Sequence, residues 1–352
     1  MNQATILKVE TDNPGNGWKQ TEIWDSVQDN PCISPRAGKI YRKFLEDPGI
    51  TTRFFDLESL DLLNSESPDE AILRFERSAT RLGSNALRKC LAAAGYGPAD
   101  LDGIIVTTCT GYLCPGLTSY ISQSVGLREN IFSLDLTGIG CGAALPALRA
   151  ASQFLNSHPH SRVAVVSVEV CSAALSWGDE IDLILSNSIF ADGAAACLMS
   201  NRSEDSRGGV KVLDFVSLLW PKHRDDLRFR SRNARLCNVI NKNVPVIAAT
   251  AVKQLHKELG NRTGRSFQHY GVHPGGRKIL DETEKVLGLE SAALSASRHV
   301  LENYGNMSSP SILYVLKTML EKDNLSGNSD IALFSFGAGF SAFGVALEYQ
   351  GE

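Results

Sequence analysis

Apolar positions along this chain switch between two periods, and from about residue 85 they do so in steady succession. Helical spacing over 85–94 gives way to the short apolar run Gly103-Ile104-Ile105-Val106-Thr107-Thr108, which reads as a buried strand. The alternation continues with a helix over 117–125, a strand over 131–136, a helix over 143–156 and a strand over 162–170. A helix over 180–190 and a strand over 193–200 follow. After a polar, Gly/Ser-rich stretch at 201–209 come a strand over 210–220 and a helix over 244–259. A short strand over 269–272 then opens a helix at Pro274. A helix over 309–321 and closing strands over 331–336 and 343–349 complete the pattern. Before residue 80 the chain is polar and irregular. It is broken by short charged helices over 35–47, with Ser34 as N-cap, and over 68–82.

Strand–helix alternation predicts an α/β protein whose sheets are mainly parallel and covered by helices. At 352 residues the chain is long enough for two such units. The polar stretch divides it into 1–205 and 206–352. Both halves present a reactive residue just after a strand, which suggests a duplicated α/β unit.

Charge and cysteine content narrow the classes. A net charge of −4 leaves no global basic field for nucleic acid. No basic segment followed by a long apolar one opens the sequence, and no apolar run is of membrane-spanning length. The expected compartment is the cytoplasm. The eight cysteines are scattered without a CxxC pair, so free thiols are expected rather than a disulfide framework. The histidines do not cluster with them at ligand spacing, so no metal site is expected.

One cysteine stands apart. In Thr137-Gly138-Ile139-Gly140-Cys141-Gly142-Ala143-Ala144 an apolar strand ends in a Gly-rich turn and a small-residue helix begins. A thiol at a helix N-terminus faces unpaired N–H groups that favour the thiolate. Taken alone, such a Cys also fits a small buried residue. Two further motifs change that balance: Gly271-Val272-His273-Pro274-Gly275-Gly276-Arg277 and Tyr304-Gly305-Asn306-Met307-Ser308-Ser309. Cys141, His273 and Asn306 on three separate turns can meet only in a folded site, and they suggest an acyl-transferring thiol enzyme.

These blocks resemble the type III polyketide synthases, the chalcone synthase-like family, and more closely its bacterial members. Phe190-Ala191-Asp192-Gly193 resembles the block carrying a gatekeeper Phe. Gly337-Ala338-Gly339 resembles the C-terminal glycine loop, with Ala338 in place of Pro. The resemblance runs from about residue 35 to the end and implies a thiolase-like fold with duplicated, helix-layered sheets, and a homodimer. It implies decarboxylative condensation of malonyl-CoA onto an acyl-CoA starter, then cyclisation, with coenzyme A thioesters as substrates and no bound cofactor. Cys141 would carry the acyl group. His273 would stabilise its thiolate by ion pairing, and His273 with Asn306 would stabilise the enolate oxygen.

The resemblance also implies a pocket lined by Phe190, Cys109, Thr110, Cys171, Ala174 and Ser308, with Cys114 reaching into the partner subunit. Cys114, Cys171 and Ala174 replace larger or more polar residues of plant members, which implies more room. Ungapped alignment back from Val244-Pro245 puts Asn238 where plant members have a gatekeeper Phe, and Phe229 where they have Gly. Lys39, Arg42 and Lys43, and Arg277 and Lys278, are candidates for contacting CoA. The arginine-rich stretch 224–235 either flanks that entrance or is a solvated face. The alternative within the fold is a single-condensation ketoacyl synthase of the fatty-acid-initiating type. Outside it stand a Cys-His-Asn hydrolase and a non-catalytic acyl-CoA-binding relative.

Overall fold

Residue numbers 3–351, except 16, 48, 206, 207, 233, 323, 324 and 326, are described by the computed structural model. The first half contains β1 (Thr5–Asp12), β2 (Gly17–Lys19), α1 (Gln20–Gln28), α2 (Pro35–Leu45), β3 (Thr52–Phe54), α3 (Leu62–Ser65) and α4 (Pro68–Ala94). It continues through β4 (Gly103–Thr107), α5 (Leu117–Val125), β5 (Phe132–Leu136), α6 (Ala144–Ser157), β6 (Arg162–Glu169), α7 (Ile181–Ile189) and β7 (Gly193–Ser200). The second half contains β8 (Val210–Leu219), β9 (Leu227–Arg232), β10 (Arg235–Ile240), α8 (Val244–Thr263), β11 (His269–Val272) and α9 (Arg277–Leu287). It ends with α10 (Ser295–Tyr304), α11 (Ser311–Lys322), β12 (Asn328–Gly337) and β13 (Ser341–Gln350).

Local signals start and stop these elements. Ser34 Oγ accepts from the Ala37 N–H at 3.3 Å and Pro35 opens α2. Ser67 and Glu70 form a reciprocal cap on α4, which ends at Gly95 in the left-handed region. The sequence suggested two helices over 68–82 and 85–94, but α4 runs unbroken through Gly83. A Cβ there would stand 2.8 Å from Ile121 Cδ1, so the glycine permits close packing of α4 on α5 rather than ending the helix. The helix expected from Pro274 begins only at Arg277, after the Gly275-Gly276 bend.

Among the described residues nine strands form one sheet in the order β11-β12-β13-β8-β1-β7-β6-β4-β5. β4 is parallel to β5 and β6, and β11 to β12; the other neighbours are antiparallel. The sheet is therefore mixed, where mainly parallel sheets were expected. One cause is local: β13 returns from β12 through the tight turn 338–340, which can join only antiparallel strands. The duplication is nonetheless written in the topology. The run β4-β6-β7-β1 (parallel, antiparallel, antiparallel) repeats as β11-β12-β13-β8. The two runs join at β1–β8. Two residues of the expected inter-half turn, 206 and 207, lie outside the described residues.

The helices α6 and α11 form the layer shared by both halves. Leu148 and Leu155 of α6, and Ile312 and Leu316 of α11, pack with Val165 and Val345. On β6 the alternate residues Ala164, Val166 and Val168 face the other way, against Phe75, Leu82 and Ile121 of α4 and α5. In the second half Val252, Leu255 and Leu280 of α8 and α9 cover Phe334 and Ala346. Both faces of the sheet are thus buried, which is why its strands read as near-continuous apolar runs. Among the described residues no helix is long and apolar enough to cross a membrane. No group of three His, Cys, Asp or Glu side chains there is placed to hold a metal ion. All eight cysteines are free thiols.

Candidate active site

Three strand ends and one helix start converge at the top of the shared layer. Cys141 sits in a single 3₁₀ turn, Gly140–Gly142, that runs into α6. The turn lies against the glycine loop after β12. A Cβ on Gly337 would collide with Ile139 O and stand 2.8 Å from Gly142 N, so only glycine allows that approach. Ser335 Oγ donates to Gly142 O at 3.0 Å and fastens the same contact. His273 follows β11, with its N–H on Phe334 O at 2.8 Å and its ring edge-on to Phe336. Asn306 lies between α10 and α11 and forms an isolated parallel bridge with Phe190: its N–H donates to Ile189 O and its carbonyl accepts from Ala191 N–H, both at 2.9 Å.

Hydrogen bonds tie these residues into one chain. Ser308 Oγ contacts Cys141 Sγ at 3.2 Å. The Ser308 N–H donates to Asn306 Oδ1 at 2.9 Å, which fixes the carboxamide with its NH₂ towards Gly275 O, 3.5 Å away. The Gly275 N–H returns to His273 O at 2.8 Å. Ser308 itself has φ of 61°, a left-handed conformation uncommon for a residue with a side chain.

Beneath Ser308 lies a buried carboxylate. Glu169, fully buried at the end of β6, receives Thr108 Oγ1, Cys109 N–H, Thr110 N–H and Thr110 Oγ1 on one oxygen, at 2.8–3.1 Å. Its other oxygen receives Ser309 Oγ at 2.6 Å, Cys109 Sγ at 3.2 Å and Ser308 Oγ at 3.3 Å. An acidic residue inside the strand Val163-Ala164-Val165-Val166-Ser167-Val168-Glu169-Val170 was the available signal, because a buried charge in an apolar strand must be met by several donors.

Burial dominates the titration of the central pair. It pushes the Cys141 thiol up to about 12, with Glu169 adding to the rise and the Ser308 hydroxyl opposing it. It pushes His273 down to about 3. Desolvation thus disfavours each charge taken singly, and a thiolate–imidazolium pair has to offset that cost by mutual attraction. Among the described residues His273 Nδ1 is buried without a hydrogen-bond partner.

A cavity of about 20 Å³ opens on Cys141, lined by Thr110, Cys171, Ala174, Phe190, Phe229, Asn238 and Ser308. Phe229 and Asn238 come from the β9–β10 hairpin, where they are direct cross-strand partners. Cys109 lies behind that wall, with its Sγ 3.3 Å from Ser308 Oγ. Cys114 is exposed and outside this cavity, beside Tyr112, which is 74% exposed. A larger cleft of about 690 Å³ lies between 56–66 and α4. It holds no thiol, and its Arg74 and Arg81 are paired with Glu66 and Asp56, so the chemistry belongs to the small cavity.

The basic candidates lie on the surface. Lys39, Arg42 and Lys43 are exposed on α2, with Arg42 paired to Glu46. Arg277 and Lys278 are exposed at the start of α9, and Arg277 pairs with Asp47 at 3.2 Å, which brings the two groups to one face. On the hairpin, Arg228, Arg230, Arg232 and Arg235 share the face opposite Phe229 and Asn238. Three of them are engaged, with Asp225, Glu180 and Leu63 O respectively for Arg228, Arg232 and Arg235.

Comparison with known proteins fits this geometry. Residue numbers 18–262 match the FAE1/Type III polyketide synthase-like protein family, and 216–349 match the C-terminal domain of chalcone and stilbene synthases. The chain belongs to the type III polyketide synthase family. It is therefore an acyl-transferring enzyme of polyketide biosynthesis. An alpha-pyrone synthesis polyketide synthase-like protein of Mycobacterium tuberculosis is 26% identical over 98% of this chain and 91% of its own. A phloroglucinol synthase of Pseudomonas fluorescens is 29% identical over 92% and 93%. The crystal structure of PKS-I from the brown alga Ectocarpus siliculosus superposes with a TM-score of 0.92 at 22% identity, covering 99% of both chains. That of 1,3,6,8-tetrahydroxynaphthalene synthase from Streptomyces coelicolor gives 0.88 at 24%, covering 99% and 100%. The thiolase-like fold of the family thus extends over this type III polyketide synthase from end to end.

Proposed function

We propose that this enzyme extends an acyl-CoA starter with malonyl-CoA through an acyl group held on Cys141, then cyclises the chain to a pyrone, resorcinol or related polyketide. The observation that carries the reading is the hydrogen-bonded run from Cys141 through Ser308 and Asn306 to the His273 turn. It supports one site in which Cys141 and Ser308 line the cavity, and Asn306 and the His273 turn are hydrogen-bonded to that wall.

The Cys141 sulfur attacks the starter's thioester carbonyl as its proton passes to the His273 imidazole. CoA leaves as its thiol, taking that proton, and the acyl group stays on sulfur. Malonyl-CoA then loses CO₂, and the released electron pair places negative charge on its thioester oxygen. His273 and Asn306 donate to that oxygen, and a dry cavity strengthens both bonds. The carbanion carbon bonds to the acyl carbon, Cys141 sulfur is released, and a β-ketoacyl-CoA results. Loss of one such donor costs about 100–1000-fold in rate. The homodimer implied by the resemblance, Cys114 at its interface, and CoA contacts by Lys39, Arg42, Lys43, Arg277 and Lys278 belong to the same proposal. The closeness of α2 and α9 supports the last of these.

The test is incubation with malonyl-CoA and short, long and aromatic acyl-CoA starters beside Cys141→Ala, with products and acyl-enzyme read by mass spectrometry. Polyketide masses absent from the variant are expected. Products surviving in Cys141→Ala would remove the nucleophile. Turnover only with acyl-carrier-protein thioesters would place the enzyme's chemistry with single-condensation ketosynthases.

A further inference from the structure

Among the described residues the most enclosed cation lies behind the site, not at its mouth. Arg53 of β3 is 0% exposed and is the largest fully buried side chain among them. Among the described residues no carboxylate forms an ion pair with it. Its Nε donates to Gln20 Oε1 at 2.9 Å and its Nη1 to Phe190 O at 2.8 Å. Its guanidinium lies 5.1 Å from the Phe55 ring centroid. Nη2 is buried without a partner. A guanidinium removed from water without a touching counter-charge is expensive to keep, and a neutral side chain of similar length would fill the space at lower cost.

What the fork holds explains its presence. Phe190 is the residue bridged to Asn306, through Asn306 N–H to Ile189 O and Ala191 N–H to Asn306 O. Gln20, which accepts from Arg53, donates its own Nε2 to Ser188 O at 3.0 Å. Two carbonyls of the 188–190 segment are therefore gripped from one side by Gln20 and Arg53. From below, Gly305 leaves room for the Arg53 stem: a Cβ there would stand 2.7 Å from Arg53 Cγ. The stem thus supports the Gly305-Asn306 turn while the fork fixes the strand paired with it. The ends of β3 tie this unit to its neighbours, with Thr51 N–H on Glu302 O at 2.7 Å and Asp192 N–H on Phe54 O at 2.8 Å.

We propose that Arg53 is the positioning residue for the Asn306 carboxamide, holding it in register through the Phe190 carbonyl and the Gly305 turn. The inference rests on the proposed role of Asn306 in malonyl-CoA decarboxylation. Misplacement of a reacting group by about 1 Å can cost roughly 100-fold. Cys141 stands on a different element, the α6 turn, and is linked to this unit through Ser308, so its acylation depends on the grip less than decarboxylation does.

The test separates the two half-reactions in Arg53→Met, Arg53→Lys and Gln20→Leu. Release of CO₂ from malonyl-CoA is measured beside acyl-enzyme formation on Cys141 by mass spectrometry, with circular dichroism to check folding. Arg53→Met is expected to lower CO₂ release by about 10–100-fold while acylation stays within about threefold of wild type. Arg53→Lys, whose compact ammonium cannot span Gln20 and Phe190 together, is expected to fall between. Gln20→Leu is expected to shift the same ratio in the same direction, and it decides the matter if Arg53→Met does not fold. Equal loss of both half-reactions, or no loss of either, in folded variants would overturn the role of Arg53. Wild type that acylates Cys141 yet releases no CO₂ would instead overturn the proposed reaction, and the role of Arg53 with it.

Discussion

Replacing Glu169 by Gln is expected to make the nucleophile more reactive while making the fold less stable. Legs of 3.3 Å from the carboxylate to Ser308 Oγ and 3.2 Å from there to Cys141 Sγ put the charge at most about 6.5 Å from the sulfur. At an effective dielectric constant of about 20, that separation corresponds to about 2.5 kcal/mol opposing the thiolate. Removing the charge therefore speeds alkylation of Cys141 at neutral pH by roughly 70-fold. The stability cost follows from which donors can turn. The N–H groups of Cys109 and Thr110 are fixed, so the amide oxygen must face them and its NH₂ must face Ser308 and Ser309. Those hydroxyls have to reverse, and every remaining bond loses its charge assistance, a cost of about 2–4 kcal/mol. Iodoacetamide labelling resolved by peptide mass spectrometry reads the first effect, and urea denaturation reads the second. Slower labelling of Cys141 in folded Glu169→Gln, or an unchanged denaturation midpoint, would refute the argument.

Two further outcomes test the cavity and its entrance. Phe229→Ala is expected to lengthen the product by at least one malonyl unit, because Phe229 walls a cavity of only about 20 Å³; an unchanged product profile by mass spectrometry would remove it from control of chain length. Lys43→Glu with Lys278→Glu is expected to raise KM for an acyl-CoA starter about tenfold, with little effect on the matching N-acetylcysteamine thioester, which lacks phosphates. Equal effects on both thioesters would place these lysines away from CoA.

The sequence exposed the elements whose signals are local and hid those that depend on packing. Ser34 and Ser67 announce helix starts because the cap is made within one turn, and the structure shows both bonds. Gly83 misleads because its reason for being glycine is Ile121, thirty-eight residues away in sequence and in van der Waals reach only after folding. β1 lies in a stretch that reads as irregular, yet it is the strand that joins the two halves of the sheet. For the pocket, Phe229 and Asn238 were reached by counting back from Val244, and the hairpin register pairs them face to face at the cavity.

The residues that escaped notice share one physical character: they are charges held inside. From a sequence, Arg53 looks like one more cation before a charged segment, and Glu169 looks like the end of a strand. Their environments distinguish them, with the guanidinium clamped between a carboxamide and a backbone carbonyl and the carboxylate met by donors from two separate segments, 108–110 and 308–309. Neither touches the cavity directly, yet each holds a residue that does: Arg53 the carbonyl of Phe190, Glu169 the hydroxyl of Ser308 that contacts Cys141. In the proposed reaction the thiol, the imidazole and the carboxamide gain their orientation from ionic groups set one layer back. Charge in that layer can hold a hydrogen-bond network rigid without itself competing for the enolate the front layer must stabilise.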